Sequence, residues 1–208
     1  MSNSLLLPTA YLAPTNYYAI LAQNQKCKIE YYEYFIRQSI RNRCEIYGSN
    51  GRLRLTIPKE NKNLSKTTIN EIKISYTDNW QRSHWNSINS AYNSSPFFEY
   101  YKDEFKPFFK KKETYLIDLN SKLQRKILEI LNIDNQPTHS HKYHKNGKFT
   151  DLRNYDFKNK SQEKYDQVFM EKHGFIQNLS ILDLLFNLGP ESIDYLNRID
   201  THIKNRRL

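Results

Sequence analysis

The alternation of apolar and polar positions divides the chain into differently patterned parts. Near the N-terminus the run Leu5-Leu6-Leu7 ends at Pro8, and Thr15 to Gln23 carries Tyr18, Leu21 and Ala22 at helical spacing behind a candidate cap, Thr15. Residues 26 to 32, KCKIEYY, then alternate as a strand. A strand, a helix and a strand within about 30 residues predict a βαβ unit and so a parallel pair. Residues 43 to 58, RCEIYGSNGRLRLTIP, alternate on both sides of Gly48-Ser49-Asn50-Gly51, which predicts a hairpin. INEIKIS at 69 to 75 is predicted as a further strand, giving about five in all.

The middle of the chain changes to helical spacing. NWQRSHWNSINSAYN, 79 to 93, reads as a helix capped by Asp78 or Asn79, and Ser94-Ser95-Pro96 interrupts it. From Phe97 to Ile133 apolar residues recur at steps of three and four, predicting a short helix, a break around Pro107 and a long helix ending near Asn132. Residues 134 to 162 are nearly devoid of aliphatic side chains. A connection that long is uncommon inside a compact domain and is usually functional or mobile, so it is a candidate lid. Residues 204 to 208, KNRRL, read as a frayed basic tail.

The most apolar stretch is HGFIQNLSILDLLFNLGP, 173 to 190, with a single acid, Asp183, among leucines. Ser180 fits an N-cap and Asp183 the third helical position, the arrangement of a capping box, although Asp is shorter than the usual Glu. Structural capping is therefore the favoured reading of Asp183, with a buried functional carboxylate as the alternative. Gly189 fits the position after the helix, and Pro190 can open the next one. Together the pattern predicts a single α/β domain over residues 1–208: a small mixed sheet with a βαβ-like start and a hairpin, covered by middle and C-terminal helices.

Composition adds limits. A chain of 208 residues can bury a sizeable core. Its net charge of +10 invites a polyanion partner, but the lysines are dispersed and accompany Asn, Ile and Tyr as AT-rich codons supply them. A solvated basic surface is favoured, and nucleic acid binding is not. Cys27 and Cys44 each fall in a predicted strand and read as small buried thiols. The opening residues lack a basic leader, and no segment reaches the roughly 18 apolar residues of a spanning helix, so a cytoplasmic protein is expected.

Five blocks in order resemble the WbqC-like protein family, particularly its Bacteroidota-type members: YLAPTNYYAILAQ (11–23), RNRCEIYGSNGRLRLTIP (41–58), NWQRSHWNSINSAYNSSPFFEYY (79–101), DLRNY (151–155) and YDQVFMEKHGFIQNLSILDLLFNLGP (165–190). The resemblance implies a context in O-antigen, lipopolysaccharide or other surface-polysaccharide biosynthesis, and it carries over no agreed catalytic residues. Where relatives begin with Gln-Pro, this chain has Leu7-Pro8.

Candidate chemistry is sparse. Trp80, His84, Ile88 and Tyr92 fall at four-residue steps and share a helix face. His84 there is a candidate general base, with Trp80 and Tyr92 as walls for a sugar or base ring, and a packed core histidine is the alternative. Arg41 and Arg43, flanking Asn42, share a strand face and could grip a phosphate or carboxylate, Arg43 being the better placed; Arg153 could close onto the same anion. Tyr165 and Gln167 share a face beside His173. His139, His141 and His144 lack a completing ligand, so no metal site is expected, and the sequence names no particular cofactor, present or absent. The expected partner is a small anionic or phosphorylated ligand. The function expected is sugar-nucleotide binding or group transfer; the alternative is a noncatalytic basic module that binds nucleic acid or serves a polysaccharide complex.

Overall fold

Leu5, Leu6 and Leu7 are all buried, and a three-residue apolar run hidden on both faces belongs inside a parallel sheet. In the computed structural model, which describes residues 4–60, 66–134, 136–145, 147, 149–157, 162–201 and 203, that run is the middle of the first strand. The elements in order begin with β1 (Ser4–Pro8), α1 (Thr15–Gln23), β2 (Cys27–Glu30), β3 (Arg43–Gly48) and β4 (Gly51–Thr56). There follow α2 (Trp80–Tyr92), α3 (Phe98–Phe105), α4 (Leu116–Ile130), β5 (Thr138–His139) and β6 (Phe149–Asp151). The chain closes with α5 (Met170–His173), α6 (Ile181–Leu188) and α7 (Ser192–Arg198).

The main sheet has the order β5-β2-β1-β6 and every pairing in it is parallel. Leu5 lies opposite Cys27 on one side and Thr150 on the other. The β1-α1-β2 start is the predicted βαβ unit. The hairpin forms around Ser49-Asn50, as expected, yet it makes a two-stranded antiparallel sheet of its own. It is fastened to α6 by the Ser180 amide, which donates to the Glu45 carbonyl at 2.7 Å.

Four local expectations need correction. Residues 69–75 are not a strand: only Ile69–Glu71 is regular, as a 3-10 turn, and Lys73 and Ile74 make single bridges to Tyr115 and Lys59. The alternation that suggested a strand is real, since Ile72 and Ile74 are buried and Glu71 and Lys73 exposed. Their backbone partners are scattered over Thr114, Leu116 and Pro58, so no ladder forms. Second, Thr15 does not cap α1; Pro14 holds the cap position and the Thr15 hydroxyl donates to the Leu179 carbonyl. Third, Asp183 and Ser180 do not form a capping box, for reasons given below. Fourth, the candidate lid supplies β5 and β6, and the amides of Ser140 and Leu152 donate to Ile29 and Leu6. Its residues 135, 146, 148 and 158–161, and the tail 204–208, lie outside the described residues.

The helices match their patterns closely. α3 passes through a 3-10 turn containing Pro107, and α4 ends just before Asn132, whose φ of 52° stops it. Helix α6 is buried at six of eight positions and ends at Gly189, whose φ is 55°. A Cβ there would lie 2.5 Å from the Phe97 ring. Gly189→Ala should therefore lower stability by about 2–4 kcal/mol, through the left-handed backbone and the clash together, and depress the melting temperature correspondingly in a thermal melt.

Candidate functional site

Ligands of open parallel sheets bind beyond the carboxyl ends of the strands. A cleft of about 300 Å³ occupies that region, lined by Arg153 to Phe157 after β6, by Ile40, Arg41 and Arg43 at the start of the hairpin, and by Asn178 and Ser180 before α6. It thus brings Arg43 and Arg153 together. Two lining residues that are not glycine have positive φ, Gln38 at 54° and Asn178 at 57°. Asn178 holds this conformation with its side chain, which accepts from the Asn16 amide and donates to the Phe157 carbonyl.

The three arginines of the cleft differ in what remains free. Arg41 is 2% exposed and forks onto Glu33, with Nε to Oε1 at 2.8 Å and Nη2 to Oε2 at 2.5 Å; Nη2 also donates to the Arg153 carbonyl. Burial raises the Glu33 carboxyl, and Arg41 opposes that shift. Arg153 forks onto Asp151, at 2.9 and 2.6 Å, and lies 4.8 Å from the centre of the Tyr143 ring. Glu30 lies 3.7 Å from its Nη1. Arg43 donates from Nε to the Thr56 hydroxyl at 3.1 Å, and its terminal nitrogens have no protein partner among the described residues. Arg153 Nη1 is buried and makes no hydrogen bond, facing Glu30. Of the expected anion grip, Arg43 is the guanidinium without an ion pair among the described residues. Asn42 is turned from the cleft and donates to the Ile57 carbonyl, tying the start of the hairpin to its end.

Glu30, unforeseen in the sequence, organises the floor behind Arg153. Its carboxylate accepts from the Ser140 hydroxyl at 2.6 Å and from the amides of Tyr32 and His144. Burial works against its charge, but these bonds hold its carboxyl below the ordinary value. His139 stacks on Tyr31 and His144 reaches Glu30, and no metal-holding group of His, Cys, Asp or Glu occurs among the described residues.

Asp183 is fully buried, and its side chain turns away from Ser180. Oδ1 accepts from the Tyr92 hydroxyl at 2.9 Å, and Oδ2 from the Tyr165 hydroxyl and Gln167 Nε2, both at 2.7 Å. Ser180 caps α6 alone, accepting from the Leu182 amide. Tyr92, Tyr165 and Gln167, expected as ligand contacts, are thus brought together around Asp183. Burial pushes the Asp183 carboxyl up to about 6, with the three donors opposing. His84 lies elsewhere in the core, 5% exposed, with Nδ1 2.9 Å from the Tyr11 hydroxyl and its ring edge-on to Trp80. Burial lowers it to about 4, so it is neutral at pH 7. It does not line the cleft of Arg43 and Arg153.

The sequence profile of the WbqC-like protein family matches residues 9–154 and 135–195. The chain belongs to the WbqC-like protein family. No curated protein and no solved structure matches the chain significantly. The span matched to the WbqC-like family includes the three cleft arginines, Asn178, Ser180 and the Asp183 cluster. No helix among the described residues of this WbqC-like chain is long and apolar enough to cross a membrane.

A carboxyl whose folded value is raised contributes stability below its unfolded value and loses it as pH rises. For Asp183 that window runs from about 4 to about 6. Denaturant melts across pH 4–7 should show Asp183→Asn losing relative stability against the parent at the acid end of this window, where the parent carboxyl is protonated. Asp183→Leu should cost about 3 kcal/mol or more at every pH, because three buried donors lose their acceptor.

Proposed function

We propose that the cleft beside Arg43 binds the phosphorylated end of a sugar nucleotide or a related phosphorylated ligand, in binding or group transfer during surface-polysaccharide biosynthesis. The observation that supports the reading is that Arg43 makes no ion pair among the described residues, on a cleft whose other two arginines are forked onto Glu33 and Asp151. A phosphoryl oxygen would complete Arg43 bidentately, whereas Arg41 and Arg153 would have to leave buried or half-buried carboxylates to do so. Tyr155, Phe157 and Ile40 offer a wall for a ring, and Asn154 offers a polar contact to hydroxyls. The cleft volume, about 300 Å³, suits a sugar phosphate with any nucleoside extending outward. Family membership supports the polysaccharide context.

In this reading Arg153 is a positioning residue, because its carbonyl fixes Arg41 and its side chain is occupied. His84 and the Asp183 cluster hold the core on which the cleft is built. The noncatalytic nucleic-acid alternative is less supported: one uncommitted cation in a concave site fits a small ligand better than a backbone-tracking groove.

A thermal-shift screen of nucleotide sugars, acyl-CoAs and nucleoside triphosphates should give its largest stabilisation with a nucleotide sugar. Arg43→Ala should weaken that ligand by about 10- to 100-fold, the loss of one charged hydrogen-bonding partner, with an unchanged unliganded melting temperature. His84→Ala should lower the melting temperature and leave the affinity of the folded protein unchanged. If Arg43→Ala binds as the parent does, the reading fails.

A further inference from the structure

A second, smaller cleft of about 280 Å³ lies at the start of α2, lined by Tyr76 to Gln81 and Lys112. It shares no lining residue with the Arg43 cleft. Helix α2 has thirteen residues, and its N-cap, Asn79, makes no side-chain capping bond. No acid lies in its first turn. The amides of Gln81 and Arg82, which a cap or an external acceptor ordinarily satisfies, have no acceptor among the described residues. Such a terminus carries partial positive charge from the aligned peptide dipoles.

Trp80 supplies an observation independent of the helix end. It is 5% exposed and lines the cleft, and its indole N–H is buried without any hydrogen-bond partner. An indole can only donate, and a buried donor left unpaired is costly, so an acceptor brought beside it would be favoured. The Lys112 ammonium lies 5.0 Å from the centre of the Tyr76 ring, and its side chain is exposed and makes no ion pair among the described residues. The groups gathered here without a protein acceptor are donors: an indole N–H and two helix-end amides, with the exposed Lys112 ammonium beside them. Asp78 is the one carboxylate of the lining; it is exposed, and its carbonyl already accepts from the Trp80 amide.

We propose that this cleft is a second anion site, which takes a phosphoryl group on the α2 N-terminus between Lys112 and the Trp80 indole. The phosphoryl oxygens accept from the free amides and the indole N–H, as anions commonly do at helix N-termini. The Tyr76 ring, 5.9 Å from that of Trp80, forms a face against which a sugar attached to the phosphate can lie. The group is free phosphate or the phosphoryl end of a sugar phosphate. The site stands independently of the Arg43 cleft.

Trp80 is also its reporter, since the chain has only two tryptophans and Trp85 is the other. In Trp85→Phe protein, inorganic phosphate added at constant ionic strength should shift the indole emission to longer wavelength and saturate. Glucose 1-phosphate forms the second arm: tighter binding than phosphate identifies a sugar phosphate as the ligand, and equal binding identifies phosphate itself. Lys112→Glu should weaken binding at least about tenfold, whereas Arg43→Ala should leave the emission change intact. Should Trp85→Phe fail to fold, calorimetric titration of the parent and of Lys112→Glu with phosphate gives the same comparison, because Lys112 is exposed. Absence of a saturable response, a response unaltered by Lys112→Glu, or its loss with Arg43→Ala would each overturn the proposal.

Discussion

A carboxylate taken out of water must be given donors or a counter-charge, and three are buried among the described residues: Glu30, Glu33 and Asp183. Glu30 and Asp183 are met by groups far away in sequence, and Glu33 by one eight residues on. Glu30 collects Ser140 and His144 from the segment after β5, and Arg153 from the end of β6. Glu33 is forked by Arg41, whose carbonyl in turn accepts from Asn120 on α4. Asp183 joins α6 to Tyr92 on α2 and to the extended residues Tyr165 and Gln167. Burying such ions adds little net stability, but removing one partner leaves an uncompensated charge and is expensive. The three carboxylates therefore act chiefly as constraints on which segments must meet.

The geometry of the cleft follows. Glu33 and Asp151 are paired with two of the three guanidiniums that line it, which is why Arg43 is the proposed contact for an incoming anion. The same pairing turns the Arg153 segment into a fixed wall. Asn178, one turn before Asp183 reaches its donors, fixes the opposite wall through Asn16 and Phe157. A ligand would thus meet a rim whose charges are already arranged, and little of its binding energy would go into ordering the protein.

Much of the framework was legible in the sequence because it rests on local pattern. The triple leucine, the Ser49-Asn50 hairpin, Pro107 and Gly189 each act within a few residues. Strands β5 and β6 were not legible: they have two and three residues, carry few aliphatics and are strands only because Ile29 and Leu6 are beside them. Residues 69–75 failed in the opposite sense, with a strand pattern but no continuous partner. At the cleft, Arg43 and Arg153 could be singled out from residue type and spacing, whereas Tyr165 and Gln167, singled out in the same way, surround Asp183 instead. That Glu33 would claim Arg41 could not be read in this way, since no local periodicity links positions eight apart across an irregular loop. The capping-box reading of Asp183 was locally sound, but three long-range donors outcompeted the single amide a cap would have offered.

The central proposal is that the Arg41–Glu33 and Arg153–Asp151 pairs leave Arg43 as the anion contact of the cleft. The most direct measurement is a crystal structure of the protein soaked with the nucleotide sugar that stabilises it most. The account predicts a phosphoryl oxygen within hydrogen-bonding distance of the Arg43 terminal nitrogens, with the Arg41–Glu33 and Arg153–Asp151 forks unbroken. A ligand held by Arg153 released from Asp151, or a nucleotide sugar seated away from this cleft, would contradict it.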